Sequence, residues 1–283
     1  MPFLALRELE FYYETAGDPS APPLLILSGL TDYTAKCEWQ MSALAADFHV
    51  ITFDNRGAGR SAQPPAGYSL ADMADDAAAI LDVLGVPAAH VFGFSMGGMI
   101  ALHFALRHPE RVRRLALGCT TAGGRLLVQP EARVIASLAT PVTSGDPRQD
   151  FYNNLWLSLG ERTQDESPVL VERLADLAVA NPQTPAGYAG QLAAVLTHDV
   201  AGRLGEIRAP TLVLHGAADR FVPPENGRLL AEHIPGARLI LYPGAGHLFF
   251  IERAAEVNRD LHDFLKKEST DFTDYTDLIG SSA

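Results

Sequence analysis

Short, unbroken apolar runs that stop on a glycine or a polar residue constrain this chain more than any other feature. LLILSGL begins at Leu24, HVITFDN at His49, HVFGF at His90, RLALGC at Arg114 and TLVLHG at Thr211. Each run is too short for an independent helix, and each lacks the alternation of a strand with one wet face. Such segments are strands buried on both faces, and those belong to parallel sheets covered by helices. Helical stretches separate them, at 35–46, 70–84 and 96–107. Ser69 and Asp72 are spaced as a capping box for the second of these, which ends at Gly85 with Pro87 behind it. Ahead of the first run, LALRELEFYYETAG predicts two short extended stretches joined by a hairpin near Glu8–Glu10. Repeated strand–helix–strand units make the fold class α/β, a mostly parallel sheet with helices on both faces.

The pattern changes after residue 120. No buried strand is evident until 210, and helical stretches at 168–180 and 189–197 are broken by Pro141, Pro147, Pro182 and Pro185. An insertion of this length is expected to be a helical cap over the carboxyl edge of the sheet. The expected division is a core of 1–120 and 205–267, a cap of 121–204 and a polar tail of 268–283. At 283 residues with 47% apolar content the chain can bury a large core. Its net charge of −12 supplies no positive field for nucleic acid or an anionic membrane surface. Cys37 and Cys119 are too few for a disulfide framework. The N-terminal stretch has no basic region followed by an apolar one, and no apolar run reaches membrane-spanning length. The expectation is a soluble, cytoplasmic monomer or homodimer with no nucleic-acid or membrane partner.

The chemistry concentrates at Gly93-Phe94-Ser95-Met96-Gly97, a G-x-S-x-G pattern lying between a buried run and a helix. A sharp strand-to-helix turn there exposes the Ser95 hydroxyl and aims the first N–H groups of the helix at the same point. Glycines on either side let neighbouring backbone pass closely. A serine hydroxyl needs a base, and the base needs an orienting carboxylate. Asp219, in the loop after the 211–216 run, and His247, in PGAGH after the 238–242 run, follow in the order acid then histidine. All three fall at carboxyl ends of strands, where open α/β sheets bind ligands. Backbone N–H groups of Met96 and of Leu30, after Ser28-Gly29, are the expected donors to a developing oxyanion. His215 lies inside a strand and reads as a core residue. His49, His90, His103, His108, His198, His233 and His262 carry no motif, and no set of side chains has metal-ligand spacing. Asp54 and Arg56 read as loop braces, because no Gly-Lys-Ser/Thr accompanies their glycines.

Taken together, LLILSGL, ITFDNRGAGRS, VFGFSMGGMIAL, PTLVLHGAADRFVPP and PGAGHLFFIERAAEVN resemble the α/β-hydrolase superfamily from about residue 10 to 267. The likeness is greatest to capped serine esterases and lactonases, including 3-oxoadipate enol-lactonases and cofactor-free haloperoxidase-like enzymes. That resemblance implies an eight-stranded sheet with a helical cap after the sixth strand. It also implies hydrolysis of small-molecule esters or lactones through an acyl-enzyme, with no cofactor. Many relatives carry His-Gly where this chain has Ser28-Gly29, so the hydrogen bonding of that loop must differ. Serine rather than aspartate at the nucleophile argues against epoxide or haloalkane chemistry. Tyr33, Trp39, Trp156, Leu248 and Phe249 are candidate pocket residues. Two alternatives share the fold: a C–C bond hydrolase of ring-cleavage products, and a slow-turnover ligand receptor.

Overall fold

The computed structural model describes residues 2–139, 144–181 and 183–266. Its first two strands, β1 (Phe3–Leu6) and β2 (Leu9–Ala16), form a hairpin. The turn lies at Arg7–Glu8, slightly ahead of the expected position, and both residues have positive φ (51° and 66°). A two-residue turn of that hand matches the twist of the flanking strands. Then follow β3 (Pro23–Leu27), α1 (Glu38–Leu44), β4 (His49–Phe53), α2 (Leu70–Val83), β5 (Ala89–Phe94), α3 (Met96–Arg107) and β6 (Val112–Gly118). Five helices come next: α4 (Ala132–Ala139), α5 (Pro147–Ser158), α6 (Glu161–Glu166), α7 (Pro168–Ala180) and α8 (Pro185–Leu196). The chain returns to the sheet as β7 (Thr211–Gly216), α9 (Glu225–His233), β8 (Arg238–Tyr242), α10 (Phe249–Glu252) and α11 (Ala254–Lys266). The expected tail at 268–283 lies outside the described residues.

The eight strands form one sheet in the order β1-β2-β4-β3-β5-β6-β7-β8, parallel from β4 through β8 and antiparallel at β1 and β2. The apolar runs are continuous because successive side chains enter two different cores. In β3, Leu25 and Leu27 join one cluster with Phe104 of α3 and Leu81 of α2. Leu24 and Ile26 join the other, with Leu44 of α1 and Phe264 of α11. At about 1.5–3 kcal/mol per buried aliphatic side chain, a one-residue slip would misplace the register of both cores at once. The Ser69–Asp72 capping box is present at the start of α2, and Gly85 beyond its end has φ 68°.

The cap follows β6, as the resemblance implies. Two of the prolines expected to break helices start them instead. Pro147 and Pro185 occupy first-turn positions of α5 and α8, where the missing N–H has no intrahelical partner to lose. Side chains of Asp146 and Thr184 cap those two helices. Consequently α8 begins earlier than the expected 189. Among the described residues no helix is long and apolar enough to cross a membrane.

Candidate active site

Ser95 sits between β5 and α3 with φ 55° and ψ −125°, a conformation that a side-chain-bearing residue holds only under strain. The surroundings enforce it. A Cβ at Gly97 would lie 2.0 Å from the Leu27 carbonyl oxygen, and one at Gly93 would lie 2.3 Å from that of Gly97. The Thr120 hydroxyl donates to the Ser95 carbonyl at 2.8 Å, tying the turn to the end of β6.

Asp219 follows β7, and its Oδ1 accepts the N–H groups of Phe221 and Val222, each at 2.9 Å. Its Oδ2 lies 2.8 Å from His247 Nδ1 and 3.2 Å from His215 Nε2. Burial by itself would raise the Asp219 carboxyl, but the charges and N–H groups of His247 and His215 outweigh it and hold the group down to about 2. An ionised carboxylate can only accept, so His247 carries its proton on Nδ1. Nε2 is then a bare acceptor, 3.0 Å from Ser95 Oγ. Ser95, His247 and Asp219 are therefore connected in the order nucleophile, base, orienting acid.

His215 is a core residue, as expected, but one that touches the triad. Its Nε2 lies 2.8 Å from the Val222 carbonyl oxygen, an acceptor only, so that nitrogen bears the proton and presents it to Asp219 as well. A Cβ at Gly227 would come within 2.6 Å of His215 Nδ1, so glycine leaves the ring room. Cys119 also lies close, its sulfur within 4.8 Å of ligand-type atoms of Asp219 and His247. Burial pushes its thiol well above the ordinary range, so it stays protonated. That trio is the closest approach to a metal-binding set among the described residues, and two of its members are already bonded to each other.

A cavity of about 590 Å³ opens beside Ser95, with Leu30 and Met96 in its lining. The loop carrying Leu30 runs flush against the nucleophile: a Cβ at Gly29 would sit 3.3 Å from Ser95 Cβ. Asn55 Nδ2 braces this loop by donating to Ser28, reaching the carbonyl at 3.1 Å and the hydroxyl at 3.3 Å. Gln191 of α8 adds a second brace and was not anticipated. Fully buried, it accepts the Thr31 N–H at 2.9 Å and donates to the Arg56 carbonyl at 2.9 Å. The His247 loop is held similarly by half-buried Glu252. That carboxylate accepts N–H groups from Gly246 (2.7 Å) and Gly160 (3.0 Å) and the Thr163 hydroxyl. Asp54 and Arg56 do brace loops: Asp54 accepts from Thr34 and Arg60 backbone, and Arg56 clamps Asp76 through two 2.6 Å bonds.

The five candidate pocket residues are absent from the lining of this cavity. Tyr33 donates its hydroxyl to the Leu177 carbonyl at 3.0 Å, sealing cap to core. Trp39 packs against the core that holds Leu44 and Phe264, and Trp156 lies under the Arg133 guanidinium at 4.8 Å. Leu248 and Phe249 turn back into the sheet, where Phe249 stacks on Tyr242 at 5.2 Å. The cavity wall comes instead from Met99 of α3, Val222 beyond β7, and Leu192, Val195 and Leu196 of α8. The spacing of the last three, at i, i+3 and i+4, was the available signal.

The profile of the family described as alpha/beta hydrolase fold matches residues 22–254. The chain is 33% identical over 271 residues to a protein of Variovorax paradoxus named "Putative carbamate hydrolase RutD", covering 92% of this chain and 98% of that one. It is 34% identical to the poly(3-hydroxyalkanoate) depolymerase of Ectopseudomonas oleovorans, covering 89% and 87% respectively. The enol-lactonase of Burkholderia xenovorans LB400 superimposes with a TM-score of 0.84 at 28% identity, covering 94% of this chain and all of that one. The strained serine, the ordered triad, the capped parallel sheet and these likenesses together establish that this chain belongs to the α/β-hydrolase family and is related to its serine esterases and lactonases.

Proposed function

We propose that this protein hydrolyses carboxylic esters or lactones of small molecules through an acyl-enzyme on Ser95. The observation that carries this reading is His247, which bridges the Ser95 hydroxyl and the Asp219 carboxylate at a cavity large enough for a small organic substrate. As Ser95 Oγ bonds to the carbonyl carbon, His247 Nε2 takes its proton and the carbonyl π pair moves onto oxygen. The N–H groups of Met96 and Leu30 receive that oxyanion. Two facts support their role: Met96 is the first residue of α3, where N–H groups lack intrahelical acceptors, and both residues line the cavity beside the nucleophile. Collapse expels the alkoxide, which leaves with the proton from His247. In a lactone the alcohol stays tethered to the acyl group. Water then attacks the ester carbon, gives its proton to His247, and the acid departs as Ser95 recovers that proton.

The relatives named as a lactonase and a depolymerase support carboxylic-ester chemistry in particular. Cys37 and Cys119, both unpaired and buried, support a reducing, cytoplasmic setting. We infer a monomer or homodimer that takes a small-molecule ester or lactone as its substrate. Incubation with p-nitrophenyl acetate and butyrate tests the reading. Turnover is expected in the parent protein and is lost in Ser95→Ala, and a fluorophosphonate adds one adduct mass to the parent alone. An adduct-free parent that leaves both esters intact would sink it.

A further inference from the structure

The cavity beside Ser95 is apolar to a degree that its chemistry does not require. Its wall carries Met99, Leu192, Val195 and Val222. At the rim, Leu127, Ile135 and Leu196 remain 37%, 43% and 77% exposed. Leaving aliphatic side chains in water has a cost, and a rim of three around one opening marks a surface that an apolar partner covers.

Three polar side chains of the lining, Thr121, Thr197 and His198, are already engaged elsewhere, and Gln129 is an exposed, uncharged amide. The Thr121 hydroxyl donates to Asn226 Oδ1 at 2.9 Å, and the Thr197 hydroxyl to the Ala194 carbonyl at 3.0 Å. His198 lies 3.0 Å from the Thr121 carbonyl through Nε2, leaving Nδ1 to accept from His103 at 3.2 Å. Burial lowers both imidazoles, so the pair is neutral near pH 7. Among the described residues the lining contains no lysine and no arginine, and its single formal charge is Asp199. Arg125, the nearby cation in sequence, is exposed and outside the lining.

Resting on the ester-hydrolase reading above, we propose that the site selects uncharged, aliphatic acyl groups several carbons long and rejects acyl groups that end in a carboxylate. An anionic terminus would lose water against aliphatic walls, with no cation to meet it and an aspartate nearby. A methyl terminus gains burial instead. At about 0.8 kcal/mol per buried methylene, each added carbon is worth about three- to fourfold in kcat/KM while the cavity still has room.

The test compares p-nitrophenyl acetate, butyrate and hexanoate with the mono-p-nitrophenyl ester of adipic acid, at pH 7.5. That half-ester matches hexanoate in acyl carbon number but carries a terminal carboxylate. Expected are a rise along the neutral series and a loss of at least about 100-fold for the adipate half-ester relative to hexanoate. In the exposed-rim variants Leu196→Arg and Ile135→Arg, the preference for hexanoate over the half-ester should shrink at least about tenfold, because a cation now meets the anion. Acetate turnover with a flat or falling neutral series, or a half-ester within threefold of hexanoate, overturns the proposal and leaves the Ser95 reading standing. Absence of both acetate turnover and the fluorophosphonate adduct removes the Ser95 reading itself.

Discussion

Ser95 occupies positive φ, and its hydroxyl points at an imidazole whose tautomer is fixed by one carboxylate. The turn is possible because Gly93 and Gly97 carry no Cβ to strike the neighbouring backbone, and the Thr120 hydroxyl pins the Ser95 carbonyl. Tautomer control rests on Asp219 being an acceptor and nothing else. Replacing it with asparagine keeps the size but places an amide N–H₂ or a neutral oxygen against His247 Nδ1. The N–H₂ orientation pushes the imidazole proton to Nε2, where it faces the serine and disables the base. For Asp219→Asn we expect kcat on p-nitrophenyl butyrate to fall by about 10⁴ with little change in KM, since the lost interaction belongs to the transition state. Asp219→Asn is also expected to slow fluorophosphonate labelling of Ser95, because labelling needs the same deprotonation. Labelling at the parental rate would mean that Asp219 acts on binding rather than on the base.

Helix α8 carries two tasks. Leu192, Val195 and Leu196 form cavity wall, while Gln191 reaches the loop that carries Leu30. Removing its amide in Gln191→Leu leaves the half-buried Thr31 N–H and Arg56 carbonyl without this partner, at about 1 kcal/mol for each. If the loop then relaxes, the oxyanion donor proposed at Leu30 loses its aim. A lost oxyanion donor lowers kcat by about 10²–10³, so a partly misdirected one should cost roughly ten- to a hundredfold, with KM nearly constant. Gln191→Glu keeps an acceptor for Thr31 but offers no donor to Arg56, so its kcat should lie between parent and Gln191→Leu. A uniform rise in KM across the ester series would place the role of Gln191 in the wall instead. This helix also marks the limit of what the residue order reveals. The strands and the triad are legible because each is encoded within about ten consecutive residues: an apolar run, a G-x-S-x-G turn, a histidine after a strand. The Gln191 brace joins residues 160 positions apart, and Glu252 reaches Gly160 across 92. No local pattern announces either. Pro147 and Pro185 misled for a related reason, since a proline breaks a helix or begins one according to what precedes it. Leu248 and Phe249 follow His247 in sequence yet stay out of the cavity wall, because the chain after His247 folds inward at once.

At the scale of the whole molecule, buried titratable groups distributed over both faces of the sheet set an acid limit on stability. Burial lowers His90 and His103 from an ordinary 6.5 to about 4, the neighbouring arginines and His198 adding to the effect. In the unfolded chain these imidazoles protonate near 6.5, so between 6.5 and 4 the unfolded state binds more protons than the folded one. Stability must therefore decline as pH falls through that window. Asp219 acts in a lower one. Its carboxyl sits at about 2 when folded against an ordinary 3.8, so its contribution is complete above about 4 and is lost as pH falls toward 2. Asp76 and Glu252, which burial raises, act with the opposite sign, so variants rather than the total slope isolate each contribution. Urea midpoints measured from pH 7.5 to 2.5 should show the parent losing more stability between 6.5 and 4 than His90→Gln/His103→Gln does, by about 2 kcal/mol after allowance for partial solvation of both rings. Below pH 4 that difference should stay constant, while the gap between the parent and Asp219→Asn narrows. Parallel curves for the parent and the double histidine variant would show that neither imidazole is held neutral by its surroundings. The acid limit would then belong to the carboxylates alone.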